Sequence, residues 1–121
     1  MIYLATPYTK YHLGIEKAFE HAAELAARLL RRGIVVYSPI VHTHPIAKYG
    51  NIDPLNHEIW LDFDATMMEA SKSLLVAQME GWEDSYGVAH EIDVFLSAGK
   101  PIRFLNPETL EIDACPLMIA A

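Results

Sequence analysis

The chain has 121 residues, 52% of them hydrophobic, which predicts a single domain over residues 1–121 with enough apolar side chains for a core. Sixteen acidic and nine basic residues give a formal net charge of −7, which argues against a duplex-binding protein because that function needs a basic face to replace counterions. We therefore expect a small-molecule partner rather than a nucleic-acid polymer, and no membrane span, since no apolar run approaches the ~20 residues that one requires.

The first part of the chain predicts a strand, a helix and a second strand. Residues 2–5 are apolar and predict a short buried strand, which a loop at residues 6–10 follows. Apolar residues then recur at helical spacing over residues 15–30, and Gly33 stands where a helix needs a left-handed stop. The β-branched run at residues 34–37 predicts a second buried strand.

The middle of the chain predicts a long loop and a second helix. A segment rich in proline, histidine and glycine runs from residue 40 to about residue 55. Loops of this length in small domains are usually functional or disordered, and the aromatic and apolar content favours function. Trp60, Phe63 and Met67 then mark the core-facing side of a second helix.

The last part of the chain predicts a further strand, helix and strand. Residues 73–78 hold an apolar run typical of a third buried strand, and an acidic loop at residues 80–84 follows it. Ser85 is a natural N-cap for a third helix, which Gly99 ends. Residues 101–105 predict the fourth strand, and a short tail with a possible last turn or strand remains.

This alternation predicts an α/β fold: a three-layer flavodoxin-like or Rossmann-like sandwich, with a parallel sheet of four to five strands and helices on both faces. Ligands of such sheets bind where the carboxyl ends of the strands meet the following helices. The rule selects three segments, residues 6–10, residues 40–55 and residues 79–85.

The start of the third helix is the most informative segment. A helix capped by Ser85 directs free backbone N–H groups at the strand ends, where an anion can bind. Gly87 costs such a helix roughly 0.5–1 kcal/mol relative to alanine. Because Glu91 leans over Gly87, the missing side chain leaves room for a ligand above the carboxylate. The alternative is a simple cap, a packing glycine and a boundary acid.

Two further positions could serve a site built around Glu91. On the second helix, Asp64 lies at the edge of the apolar face, whereas Asp62 points nearly opposite to it and is expected in solvent. Tyr3 lies within the first strand, and its hydroxyl could reach a cleft at the strand's end. An ordinary solvent-edge role for Asp64 and a plain core role for Tyr3 are the alternatives.

The two-histidine pattern at His42 and His44 has no matched third ligand, and extended neighbours point to opposite sides. We therefore expect these histidines to contact a ligand rather than a metal, and His57 and His90 to lie at the surface or at a helix edge. The first strand is followed by neither a glycine-rich dinucleotide loop nor a Walker loop. No metal and no cofactor are predicted.

The opening strand, an acid on the helix before the third strand, and the Ser-x-Gly-Val-x-x-Glu motif resemble the nucleoside 2-deoxyribosyltransferase-like family. This family includes 2′-deoxynucleoside 5′-monophosphate N-hydrolases. The resemblance runs from Tyr3 to about Phe104. The full sequence of the motif, with Gly81 and Trp82 before Ser85, most resembles a bacterial branch known only as a domain of unknown function.

The resemblance implies roles for individual residues. Glu91 resembles the nucleophile that attacks the anomeric carbon, Tyr3 the tyrosine that positions it, and Asp64 the acid near sugar and base. Ser85 resembles the serine that contacts a 5′-phosphate. The remaining expected substrate contacts are Gly87, Tyr8, Lys10, His42 and His44.

The resemblance further implies cleavage of an N-glycosidic bond by hydrolysis or base transfer, with a homodimer or homotetramer completing the site. The hydrolases carry an arginine in the first loop where this chain offers Thr9 and Lys10, so a need for the 5′-phosphate is left open. A non-catalytic nucleotide-binding module is the main alternative, and an unrelated flavodoxin-like or receiver-like domain is a third. The lone Cys115 fits a cytoplasmic location.

Overall fold

Strands and helices alternate along residues 1–113, the part of the chain that the computed structural model describes. Cys115 lies outside these residues. The elements in chain order are β1 (Ile2–Ala5), α1 (Ile15–Arg31), β2 (Val36–Tyr37), α2 (Pro39–Gly50), α3 (His57–Ala70), β3 (Ser73–Ala77), a 3₁₀ turn (Trp82–Asp84), α4 (Tyr86–Ser97) and β4 (Ile102–Leu105).

The four strands form one parallel sheet in the order β2-β1-β3-β4. Strand β1 pairs on one side with β2 and on the other with β3, so that Tyr3 lies between Tyr37 and Leu74. The predicted α/β fold with a parallel sheet is thereby confirmed. The chain moves outward from β1 in both directions, and such a reversal places a crevice at the carboxyl ends of β1 and β3.

Helices cover both faces of the sheet because successive strand side chains point to opposite sides. Tyr3 and Ala5 face one hydrophobic cluster, which Phe95 and Val88 of α4 and Met68 of α3 complete. The other face packs mainly against α1, and its buried residues are Leu4, Leu25, Leu29, Leu75, Ala77, Met79, Leu105 and Leu110. Within residues 1–113, no helix combines the length and the apolar character that crossing a bilayer requires.

The second strand is shorter and less buried than its β-branched sequence predicts. Only Val36 and Tyr37 pair with β1, and Val35 is 68% exposed. The reason is the position of β2 at the edge of the sheet, where a strand has one neighbour instead of two.

The predicted long loop is mostly helix α2, which corrects the sequence-based prediction. Pro39 occupies the first helical turn, where its missing N–H costs nothing, and the Ser38 hydroxyl accepts a hydrogen bond from the Val41 N–H at 3.3 Å. Asn51 ends the helix in the left-handed conformation, at φ 59°. Pro45 lies inside the helix, and such a proline removes one backbone bond, which is why the composition suggested a loop.

Candidate functional site

A cleft of about 240 Å³ opens at the carboxyl end of β1, between the first loop and the N-terminal parts of α2, α3 and α4. The sheet reverses its strand order at this place, as ligand sites of open parallel sheets require. The volume lies just below the roughly 300 Å³ at which pockets for drug-sized ligands begin. The cleft therefore suits one small molecule.

Glu91 lies in the wall of this cleft and is only 8% exposed. Helix α4 places it there: the Ser85 hydroxyl accepts a hydrogen bond from the Val88 N–H at 3.3 Å and fixes the first turn of the helix. Burial raises the pKa of Glu91 to about 8, the Tyr3 hydroxyl lowers this pKa, and the Asp64 charge raises it. Such a displaced pKa in a cleft is typical of functional acids.

Tyr3 lies behind Glu91, fully buried in β1, with ring centroids 5.7 Å from Tyr37 and 5.8 Å from Phe95. Burial, followed by the Glu91 charge, raises the pKa of the Tyr3 phenol well above its ordinary value, so the hydroxyl keeps its proton. The hydroxyl is near enough to lower the pKa of Glu91 but has no partner at full hydrogen-bond geometry within residues 1–113. Its donor is therefore still free to serve a charged carboxylate.

Asp64 projects from α3 into the same cleft. Burial raises its pKa to about 6, and its Oδ1 atom has no hydrogen-bond partner within the described chain. Asp62, two residues earlier, is exposed, as the helical spacing predicts.

Unpaired polar atoms are concentrated around these two acids. Along the described chain, the buried side-chain atoms without a partner are the hydroxyls of Tyr3, Thr6 and Tyr37 and Oδ1 of Asp64. Thr6 and Asp64 line the cleft. Burial, followed by the charges of Asp64 and Glu91, raises the pKa of Tyr37 to about 12. Because buried polar groups are almost always hydrogen-bonded, the Thr6 hydroxyl and Asp64 Oδ1 are suited to a ligand that carries hydroxyls, whereas Tyr3 and Tyr37 are not among the residues that line the cleft.

Gly87 adds space beside Glu91. A Cβ built at this position would meet only the Ser85 Oγ, at 3.9 Å, which is ordinary contact. Packing therefore does not require a glycine here, and the missing side chain enlarges the cleft instead.

The structure brings most of the predicted contacts into the cleft, but neither of the two histidines of α2. Tyr8 and Lys10 line it, together with Ser85. His42 and His44 do not line it: His42 is exposed and stacks on Phe63, with centroids 5.4 Å apart, and His44 is buried against Tyr8. Helix α2 causes the separation, because residues two apart point to different sides of a helix.

Four further residues that line the cleft were not predicted as substrate contacts. Trp60 was expected in the core, yet it lines the cleft. His57 is exposed and His90 half-buried, in agreement with the surface or helix-edge positions expected for them, and both line the cleft, as does Tyr86, which is 65% exposed. Helical spacing could have found them. On α3, His57, Trp60, Leu61, Asp64 and Met68 form one face at steps of three and four residues.

The arrangement combines two carboxyl groups of raised pKa, a protonated phenol and aromatic walls around a small volume. Such a site can hold a planar, hydroxylated molecule and place an acid against it. Within residues 1–113, no group of three His, Cys, Asp or Glu side chains is arranged to hold a metal ion.

Comparison with known proteins gives a family without a described activity. A family model described as "Domain of unknown function (DUF1937)" matches residues 1–106, which include every residue of the cleft. No curated protein matches the chain.

The burial of Glu91 predicts a pH-dependent stability cost. From an ordinary pKa of 4.5 to about 8, the native state keeps a proton that the unfolded state releases, so stability falls as the pH rises through this window. Near pH 9, the free energy of unfolding of Glu91→Gln should therefore exceed that of the unchanged protein by about 1–3 kcal/mol. Near pH 5, the two free energies should be nearly equal.

Urea denaturation at both pH values measures this difference. The matched control is Asp93→Asn on the same helix, an exposed position where the change should stay within about 0.5 kcal/mol. Equal stability of Glu91→Gln and the unchanged protein near pH 9 would show that the carboxyl group is not buried.

Proposed function

We propose that this chain, which belongs to the DUF1937 family, cleaves the N-glycosidic bond of a nucleoside or nucleoside 5′-monophosphate, with Glu91 as nucleophile. One observation carries the proposal: a buried carboxyl group forms the cleft wall beside the side-chain-free position of Gly87, with a phenol behind it. The resemblance of the motif from Ser85 to Glu91 to the nucleoside 2-deoxyribosyltransferase-like family supports the same reaction.

The reaction has two steps. A Glu91 oxygen bonds to the anomeric carbon while the carbon–nitrogen bond breaks, and the departing base keeps the electron pair and takes up a proton. Water or a second base then attacks the same carbon and releases Glu91, giving hydrolysis or transfer. Asp64 lines the same cleft and is the group proposed to exchange protons with the base or the attacking water.

Glu91 must lose its proton before it attacks. With a pKa of about 8, the carboxyl group is largely neutral at pH 7 in the empty cleft. The Tyr3 hydroxyl favours the ionised form, and sugar hydroxyls in the cleft would add further donors. Substrate binding thus prepares the nucleophile.

The cleft fits the proposed substrate in size and in the character of its walls. Trp60 and Tyr86 offer aromatic surfaces for a planar base. Lys10 and the start of α4 at Ser85 offer a cation and a helix terminus for a phosphate. A homodimeric or homotetrameric assembly and a cytoplasmic location stay predictions. Comparison of nucleosides with their 5′-monophosphates decides whether the phosphate is required.

The activity is tested by incubating the purified protein with deoxyribonucleosides, ribonucleosides and their 5′-monophosphates, with and without a second base. Chromatography should detect free base or an exchanged nucleoside. Glu91→Gln should lower the rate by roughly 10³-fold or more, as loss of a nucleophile does elsewhere. The control Asp93→Asn should keep the rate of the unchanged protein.

Two results would redirect the proposal. A rate in Glu91→Gln close to that of the unchanged protein would eliminate Glu91 as nucleophile. Thermal stabilisation by nucleotides, with no base released over hours, would support the non-catalytic nucleotide-binding module instead.

Gly87→Ala separates the ligand space from helix stability. The added methyl group fits the fold and should raise the free energy of unfolding by about 0.5–1 kcal/mol, because alanine favours helix. It occupies space beside Glu91, so nucleoside affinity should fall by an order of magnitude. Thermal unfolding and calorimetric titration measure the two effects. Gly50→Ala, at the end of α2 and away from the cleft, should leave affinity unchanged.

The neighbours of Glu91 should move the pH profile of kcat/KM in opposite directions. Ionised Glu91 is the active form, so the rate rises as the pH passes about 8. Asp64→Asn removes a charge that raises this pKa, and its rising limb should move to lower pH. Tyr3→Phe removes the hydroxyl that lowers the pKa, and its limb should move to higher pH. Limbs that stay in place would contradict the assignment of this pKa to Glu91, and Asp62→Asn is the control for surface charge.

A further inference from the structure

A chain of three hydrogen-bonded side chains leads from the surface to the cleft. The Tyr8 hydroxyl lies 2.6 Å from Nδ1 of His44, and Nε2 of the same ring lies 2.8 Å from Glu16 Oε2. The three residues come from the first loop, α2 and α1. Of the three, only Tyr8 lines the cleft, so a ligand would contact Tyr8 and not His44 or Glu16.

The proton positions in this series of hydrogen bonds follow from its surface end, at Glu16. The hydrogen bond from His44 lowers the pKa of Glu16, and the Lys48 ammonium group, 3.4 Å away, lowers it further. The carboxylate is therefore charged and only accepts hydrogen bonds, so Nε2 of His44 carries a proton. A neutral imidazole with a proton on Nε2 has its acceptor at Nδ1.

The position of the proton at the cleft end of the series, on Tyr8, is then determined as well. Burial, followed by the Glu16 charge, raises the pKa of Tyr8 to about 12, so the phenol keeps its single proton. That proton goes to Nδ1 of His44, and the phenolic oxygen keeps lone pairs with no proton of its own left to donate.

Packing holds the histidine ring in this orientation. Phe19 stacks on His44 with centroids 4.6 Å apart and planes 19° apart, and Tyr8 meets the ring edge-on at 5.7 Å. The ring is 6% exposed. A ring packed in this way cannot easily turn to exchange its two nitrogens.

We propose that Glu16 and His44 fix the Tyr8 oxygen as a hydrogen-bond acceptor toward the cleft, and that Tyr8 selects a substrate with a donor, a sugar hydroxyl or a base N–H, at that point. Tyr8 is then a specificity-determining residue, and His44 and Glu16 are positioning residues. A phosphate or carbonyl oxygen over Tyr8 would face lone pairs and be rejected. The choice of substrate rests on the proposed function, whereas the proton positions do not.

The proton positions are tested in the ligand-free protein by ¹⁵N NMR of labelled histidine, with His44→Gln identifying the resonances. Nδ1 of His44 should show the shift of an unprotonated acceptor and Nε2 that of a protonated nitrogen. Glu16→Gln should weaken this preference, and Glu20→Gln, on the same helix, should preserve it. A protonated Nδ1 in the unchanged protein would overturn the proposal.

The selection is tested with 2′-deoxyadenosine and three derivatives, the 3′-O-methyl, the 5′-O-methyl and the N6,N6-dimethyl compounds. All titrations use the Glu91→Gln background, so that no ligand is consumed. One derivative should bind at least about tenfold more weakly than 2′-deoxyadenosine, and the added Tyr8→Phe change should reduce that ratio to less than about threefold. Adding Glu16→Gln should also reduce it, and Glu20→Gln should not.

Two results distinguish this proposal from the proposed function. Ratios that Tyr8→Phe leaves unchanged for every derivative would overturn the selection by Tyr8, even if the nucleosides bind. Failure of all four nucleosides to bind, together with an unprotonated Nδ1, would contradict the proposed function and support the fixed acceptor.

Discussion

The burial of one carboxyl group is the constraint around which the site is built. An ionised Glu91 is unfavourable in its buried position, and burial raises its pKa to about 8. The fold retains this acid although a neutral residue would be more stable there at alkaline pH. It also surrounds the acid with Tyr3 and Tyr37, whose pKa values its charge raises, and with Asp64, whose own charge raises the pKa of Glu91. Such costs are typical of positions kept for function.

The sheet explains how this acid comes to lie beside a cleft. In the strand order β2-β1-β3-β4, the chain adds β2 on one side of β1 and then crosses over to add β3 on the other side. The segments that follow β1 and β3 separate there, which opens a crevice at the carboxyl end. Tyr3 projects from β1 into the core cluster on the α3 and α4 side, and Glu91 on α4 lies close enough for the phenol to affect its pKa.

The polar groups form two layers of different character. In the layer around Glu91 and Asp64, the Thr6 hydroxyl and Asp64 Oδ1 line the cleft and have no partner within residues 1–113, which leaves hydrogen-bonding capacity for a ligand. In the layer behind Tyr8, by contrast, His44 and Glu16 are fully engaged. Unpaired groups suit binding, and paired groups suit the positioning of a neighbour.

The sequence by itself determined the α/β class, the parallel sheet and the placement of Glu91 over Gly87, because these depend on local periodicity and on caps such as Ser85. It did not determine helix α2, since Pro45 and the histidines resemble loop composition while the cap at Ser38 and packing against α1 favour helix. Nor could it separate His42 from His44 or join His44 to Tyr8 and Glu16. Those contacts span 36 and 28 residues, and only the tertiary structure brings residues so far apart along the chain within hydrogen-bond distance.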